Sequence, residues 1–439
     1  MSVDTLFEPY TAALWGGSIR AHRPPKPSPS DVLHFNGTCS GTPAAFSMDN
    51  DTLSRHVLLL GGTGTGKTNL FFHCVRQLKA RMTSNDVMII FDTKGDYFEE
   101  FYQPATDAVI GNSPAYRAIS RKWNLFREIV IDGYGSESVT MNAQELCRAL
   151  FADRELRTNN PFFPNAARDL LAAVIITLTR LKNKGAFRKS LFTNDVLKKL
   201  LDSYTADDLA NLLLLYTDMK AKVQYIKGGN TQSQGVLSEL YSVAGDVLTG
   251  VFGENGTFSV RDFIRKKNGR TLFIEYDMAA GDTLAPVYSL LFDLSLKETL
   301  GRQAAVGNVY LILDELKLLP HLRHLADGIN FGRGLGLKIL AGLQSVEALD
   351  SGGLCGAAAG FSSVVAFRPS DPLTREYVSR LCGRNIVLEQ YENLSHNIEE
   401  VRREGYVAED WDLIKLQTGE AVVGLSETPP FRFYFEQYR

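Results

Sequence analysis

Cysteine is scarce in this 439-residue chain. The five residues, Cys39, Cys74, Cys147, Cys355 and Cys382, are scattered, with no C-x-x-C pair. That spacing offers neither a disulfide framework nor a zinc site and suits a reducing cytosol. Long hydrophobic runs are missing too: the stretch around Leu170–Leu178 falls short of the ~20 apolar residues that cross a bilayer. The N-terminus is polar and proline-rich (RPPKPSPSD) and lacks the apolar core of a secretory signal. The expectation is a cytoplasmic chain with no membrane span of its own. Charge of one sign is also lacking, since the net charge is only −3. No global basic field exists, so nucleic acid would have to be held by a local groove or by repeated subunits. No internal repeat or low-complexity tract marks a solenoid or a disordered tail. What remains, 44% hydrophobic and 22% charged residues, is an ordinary globular composition, long enough for two or three domains.

Within that composition one segment is far from ordinary. His56-Val57-Leu58-Leu59-Leu60 reads as a buried strand, and the LFFHCV stretch further on reads as a helix. Between them Gly61, Gly62, Thr63, Gly64, Thr65, Gly66, Lys67 and Thr68 fit the G-x-x-x-x-G-K-S/T phosphate loop without a mismatch, with Asn69 next in line. Glycines let backbone N–H groups curl around phosphate oxygens, and the helix N-terminus adds positive potential. Lys67 is then placed for the β- and γ-phosphates of ATP, and the Thr68 hydroxyl for Mg²⁺. The other half of such a site is an apolar strand ending in acid. Val309-Tyr310-Leu311-Ile312-Leu313 supplies it, followed by Asp314 for the metal's hydration shell and Glu315 to polarise the attacking water. A dedicated base favours hydrolysis over a switch or a kinase.

The rest of the chain alternates in character. Residues 1–54 read as an extended arm with a short strand lead-in at Val32–Phe35. Residues 55–138 alternate strand and helix (Val87–Phe91, then a short helix after Asp96), and their strands are continuous apolar runs suited to a parallel sheet covered on both faces. Residues 139–254 carry apolar residues only at helical spacing and read as an inserted all-helical domain. From 255 to 439 the α/β pattern returns, with strands at Thr271–Tyr276, Val309–Leu313, Leu337–Leu343, Ser363–Phe367 and Glu420–Val423 and the aromatic tail FRFYFEQY closing the sheet. The fold class is therefore α/β, a mainly parallel sheet with an all-α insertion. Two polar segments stay open. Arg261, Arg265, Lys266, Lys267 and Arg270 either touch phosphates or form a solvated helix end, and KGGNTQSQG (227–235) is a substrate-facing or a plain interhelical loop.

In this order, the phosphate loop, FDTKGDYFEEF, WNLFREI, the helical insertion, LILDE, FGRGLG and GLQS resemble the HerA/FtsK superfamily, and within it the type IV coupling proteins of conjugation and secretion. The likeness runs from about 55 to 425. It implies a RecA-like P-loop ATPase, a homo-hexameric ring that spends ATP, with Mg²⁺, to move DNA or nucleoprotein through a central channel. It makes Lys67 and Thr68 the phosphate and metal ligands, Asp314 the second metal-side acid, Glu315 the base and Gln344 the polar sensor beside the γ-phosphate. Arg333, between Gly332 and Gly334, matches the arginine that reaches into a neighbour's site. Asp92 and Lys94 fall in a signature stretch and carry either a site role or turn chemistry at a strand end. The resemblance also implies relaxase or secretion-channel partners. Coupling proteins carry N-terminal transmembrane helices, and none is legible here, so peripheral recruitment by a separate anchor is one expectation. A soluble HerA-like DNA translocase is another, and a nucleotide-regulated docking platform with little motor activity a third.

Overall fold

The computed structural model describes residues 10–185, 192–301, 306–347, 360–392 and 398–439. Its strands, in chain order, are β1 Tyr10–Trp15, β2 Leu33–Cys39, β3 Thr42–Met48, β4 Val57–Leu60 and β5 Val87–Asp92. Next come β6 Ala108–Gly111, β7 Arg270–Glu275, β8 Val309–Leu313, β9 Leu337–Leu343 and β10 Ser363–Phe367. The last four are β11 Arg384–Glu392, β12 Ile398–Tyr406, β13 Glu420–Gly424 and β14 Phe431–Phe435. The described residues fall into two compact units, one comprising those up to Arg81 together with those from Lys338 on, the other Met82–Leu337.

In the first unit β4 lies between β10 and β9, parallel to both, with Leu60 opposite Ala366 and Leu343. All residues of β4, β9 and β10 are buried. This is why these strands read as apolar runs rather than as an alternation, with the buried Lys338 the one charged residue among them. Beyond β10 the order continues β13, β14, β2, β3, every neighbour antiparallel. The aromatic tail joins this sheet but does not close it: β14 lies between β13 and β2, and β3 is the edge strand. Phe35, Phe46, Phe431, Phe433 and Phe435 are at most 3% exposed and interlock, with Phe46 and Phe433 centroids 4.9 Å apart. Burying each such ring contributes roughly 1.5–3 kcal/mol. The N-terminal arm is richer in strands than expected. A hairpin joins β2 and β3 through Ser40 (φ 50°) and Gly41 (φ 77°), and β1 pairs with β11, itself hairpinned to β12. Residues 1–9 of the arm lie outside the described residues.

In the second unit the order is β8, β5, β7, β6, all parallel. No strand occurs among the described residues between Gly111 and Arg270. The helices Ser136–Arg157, Phe162–Asn183 and Thr231–Val247 pack there as a layer against the helix Gly281–Leu300. Phe162–Asn183 has the length and hydropathy of a bilayer span, which the sequence reading did not anticipate, yet 72% of its apolar window is buried inside this layer. It is a core helix. The basic run after Ser259 is divided: Arg265 and Lys266 are exposed at the helix end, as a solvated end requires, whereas Arg261 and Lys267 are buried. Arg261, 4% exposed, bonds Glu298 (2.8 Å) and Asp132 (3.1 Å), and Arg265 bonds the same two acids. Lys267 donates to the Asn85 carbonyl at 2.7 Å. In KGGNTQSQG, Asn230 caps the helix Thr231–Val247 by accepting from the Ser233 N–H (2.9 Å), so this stretch serves as a helix start.

Candidate active site

In the first unit the chain leaves β4 through Gly61–Gly66 and enters the helix Lys67–Arg81. Three anchors fix the loop: Gly61 N–H donates to the Leu343 carbonyl (3.2 Å), Gly62 N–H to that of Arg368 (3.1 Å), and Gly419 N–H to that of Thr65 (2.8 Å). Two glycines are required by shape. Gly61 (φ 149°) and Gly66 (φ 123°) adopt backbone conformations that side chains avoid, and a Cβ on Gly66 would stand 2.9 Å from the Phe367 ring and 3.1 Å from Gly419. Thr65 Oγ1 closes the turn on the Gly62 carbonyl (2.8 Å). Lys67, 7% exposed, folds into the hollow and donates to the carbonyls of Gly61 (2.7 Å) and Gly62 (3.1 Å). A buried ammonium inside a glycine-rich cradle at a helix start is the donor set a polyphosphate requires. Thr68 lies half-buried in the first helical turn. Gln344 is exposed and directly follows the Leu343 carbonyl that holds Gly61, so this unit brings Gln344 to the phosphate loop. Asn69 goes elsewhere. Its amide donates to the Glu436 carbonyl (2.9 Å) and accepts from the Tyr438 N–H (2.7 Å), tying the C-terminal tail to the helix.

The second unit holds the acids. Asp314 and Glu315, both half-buried, stand at the carboxyl end of β8, and the Tyr97 hydroxyl donates to Asp314 Oδ2 at 2.9 Å. Sequence reasoning missed Tyr97, although it lies inside the FDTKGDYFEEF stretch. Asp92, 1% exposed, accepts from the N–H groups of Gly95 (2.8 Å), Phe98 (2.9 Å) and Lys94 (3.2 Å). That is the turn chemistry weighed for it, and the Lys94 side chain points outward, exposed. Beside Asp92 in register sits Glu275, 2% exposed and unforeseen. Burial, then the charge of Asp92, pushes the Glu275 carboxyl up to about 9, while a hydrogen bond from Tyr116 opposes the rise. Burial likewise raises Asp92 against its three backbone donors. Adjacent parallel strands set the two Cα atoms about 4.8 Å apart, too close for both buried carboxyls to ionise. Glu275 therefore keeps its proton at neutral pH.

Because this folded-state value lies above the usual 4.5, stability is full below about 4.5 and is lost as pH rises towards about 9. Glu275→Gln, which imitates the protonated acid, is expected to flatten that decline and to raise Tm at pH 8 by several degrees. Thermal melts of both proteins across this range provide the check, and parallel pH profiles would remove the assignment of a retained proton to Glu275.

Glu315 and Arg333 are not brought together. Arg333 is exposed on the short turn Gly332–Leu335, and Val309 N–H donates to the Gly336 carbonyl (2.9 Å), which sets that turn at the amino end of β8. Glu315 lies past the other end. The segment between them is strapped to the helical layer. The His324 N–H donates to Asp293 (2.8 Å), and its ring nitrogens lie 2.9 Å from Asp293 and 3.1 Å from Glu145.

Comparison with known proteins places the fold in a family. Residues 42–413 match the family described as the type IV secretion-system coupling protein DNA-binding domain. Coupling protein TraD of Escherichia coli is 23% identical over 317 residues, which make up 68% of this chain and 39% of TraD. The chain thus spans well under half the length of that relative. Among solved structures, the bacterial conjugative coupling protein TrwBdeltaN70 in an unbound form is 25% identical, with a TM-score of 0.72 over 94% of this chain and 90% of the TrwBdeltaN70 chain. TrwB in complex with ADP and Mg²⁺ is 24% identical, with a TM-score of 0.70 over 99% of this chain and 95% of TrwB. The family match covers most of the sequence, and the chain belongs to the type IV secretion-system coupling proteins, in their DNA-binding-domain family.

Proposed function

We propose that the chain is a Mg²⁺-dependent ATPase that assembles as a homo-hexameric ring and couples hydrolysis to the translocation of DNA or nucleoprotein in conjugative transfer or type IV secretion. The observation that carries this reading is the phosphate loop, with Lys67 buried in its hollow and Gln344 beside it. The cradle fits a nucleotide, because Gly61 and Gly66 leave open the space that side chains would fill. Lys67 and the loop N–H groups would hold the β- and γ-phosphates, and Thr68 with Asp314 would hold Mg²⁺. The metal supplies screening of phosphate charge. Glu315 accepts a proton from the attacking water, Gln344 orients the water or the γ-phosphate, and Arg333 stabilises charge in a neighbouring subunit's site. Tyr97 keeps the Asp314 carboxylate in one orientation. TrwB binding ADP with Mg²⁺ supports the choice of ligands. The proposed setting is the cytoplasm, with recruitment to the inner face of the membrane, and the proposed partners are a relaxase and secretion-channel proteins. The inserted all-helical domain of residues 139–254 is proposed to receive the substrate, with the His324 strap as its mechanical link to the segment after Glu315.

The test is the ATPase rate with and without single- and double-stranded DNA. A rise of tenfold or more with DNA, steeply weakened by salt, is expected of a translocase whose grip is repeated around a ring. Nucleotide-dependent capture of protein with no DNA stimulation would replace the motor by a docking platform.

A further inference from the structure

A cavity of about 520 Å³ opens in the second unit at the amino ends of β6 and β7, where Ala108 and Arg270 begin their strands. Asp92 and Asp314 stand at the opposite, carboxyl ends of the neighbouring parallel strands β5 and β8, so this cavity is separate from the acids of the candidate active site. Its wall carries Arg121, Lys122, Lys266 and Arg270, with Phe258 and Phe263 between them. Not all of this charge is spent internally. Lys122 pairs with Glu254 (3.0 Å) and Lys266 with Asp262 (2.7 Å). The lining acid Asp107 accepts from the Gln103 and Thr271 N–H groups (2.9 and 3.0 Å).

Two guanidinium groups are left over. Arg121 is exposed and its side chain forms no ion pair among the described residues. Arg270 lies over the Phe263 ring (4.3 Å) and donates through Nε to the Lys267 carbonyl (2.9 Å), while its Nη2 is buried with no hydrogen-bond partner among the described residues. Burial holds Arg270 below the ordinary arginine value; Asp262 opposes that shift and the charge of Arg121 adds to it. Two cations held near each other, one of them poorly solvated, are stabilised by an anion placed between them.

The backbone behind Arg270 is also held in a costly shape. Lys267 (φ 49°), Asn268 (φ 63°) and Gly269 (φ 64°) follow one another in the left-handed region. The Asn268 and Gly269 N–H groups lock that turn onto the Ser84 and Asp86 carbonyls (3.0 and 2.9 Å). Strain of this kind persists only where the surroundings over-determine it, and here it fixes the arginine at the cavity wall.

We propose that this cavity is a second, non-hydrolytic site that binds a phosphate dianion, free or as the phosphomonoester of a mononucleotide. Arg121 and Arg270 would share the dianion, with the Lys122 and Lys266 ammonium groups adding to the field. The half-buried Phe258 offers a face to a base. A volume of about 520 Å³ matches a mononucleotide.

The test is calorimetric titration of the full chain with AMP and, separately, with inorganic phosphate. It does not depend on the ATPase reading, because Lys67→Ala serves as the control for the phosphate loop. One equivalent of AMP is expected to bind, to survive Lys67→Ala, and to weaken about tenfold or more in Arg121→Glu, whose exposed side chain supports no fold contact. Arg270→Lys keeps the charge, loses the planar fork and is expected to weaken binding by less. Heat with AMP alone assigns a nucleotide, and heat with both ligands assigns the phosphate group itself. No binding of either ligand at about 1 mM, binding abolished by Lys67→Ala, or binding untouched by Arg121→Glu would overturn the proposal. Arg121-dependent binding of oligothymidylate in the absence of AMP binding would overturn it too, making the cavity a strand contact.

Discussion

A Glu315→Gln protein is expected to bind ATP as the parent chain does and to hydrolyse it ~10²–10⁴ times more slowly. The amide keeps the size of the carboxylate and cannot accept the proton of the attacking water. The local geometry separates the two acids at the tip of β8. Asp314 is held by the Tyr97 hydroxyl at 2.9 Å, whereas Glu315 (φ −132°, ψ 76°) leads into the short turn Leu316–Leu318. Lys67→Ala is the contrasting variant. It removes the ammonium from the hollow of the phosphate loop and should weaken ATP binding itself. Filter retention of labelled ATP together with single-turnover hydrolysis separates the two cases. Parental turnover by Glu315→Gln would remove the base assignment, and loss of ATP binding by that variant would make Glu315 a structural residue.

How far the sequence carries depends on whether a feature is local. The strand–loop–helix at 57–81 is legible because apolar run, glycines and lysine are contiguous, and β8 with Asp314 is legible for the same reason. Buried parallel strands such as β4 and β8 announce themselves as unbroken apolar runs. The hairpin β11–β12 does not. Leu388 faces Arg402 and Val387 faces Arg403 across it, and Arg403 pairs with Glu389 at 2.9 Å. A two-stranded ribbon so rich in charge has no apolar period to read. β6, Ala108–Gly111, is as short as β4 but has no motif beside it to mark it.

In the candidate site, the pairings that escaped were those made by tertiary structure. Glu275 meets Asp92 only because β7 was laid beside β5. Tyr97 reaches Asp314 across a large sequence separation. Arg261 and Arg265 looked like a basic surface because their partners, Asp132 and Glu298, lie far away along the chain. Asn69 follows the phosphate-binding residues without a break, yet it turns to the C-terminal tail, which the sequence could not foretell.

Arg333→Ala is expected to lower ATP turnover by ~10³–10⁵ while ATP binding survives, the range known for arginines that complete a neighbour's site. The fold supports an action between subunits. The turn that carries Arg333 is fixed at the amino end of β8 by the Val309–Gly336 hydrogen bond, and Glu315 lies beyond the carboxyl end. The five residues of β8 rise about 16 Å. Within one subunit the guanidinium is thus a strand's length from the base it would have to assist. It is exposed, on a turn bounded by Gly332 and Gly334, where a side chain can project from an interface. Hydrolysis should then rise cooperatively with protein concentration, following ring assembly. Mixing Arg333→Ala with Lys67→Ala subunits should restore part of the activity, because an intact phosphate loop from one meets an intact arginine from the other. Sedimentation and ATPase assays on the same samples decide the matter. Full turnover by a strict monomer, or an inert mixture of the two variants whose rings assemble normally, would rule out a shared site and leave Arg333 as a residue of the turn alone.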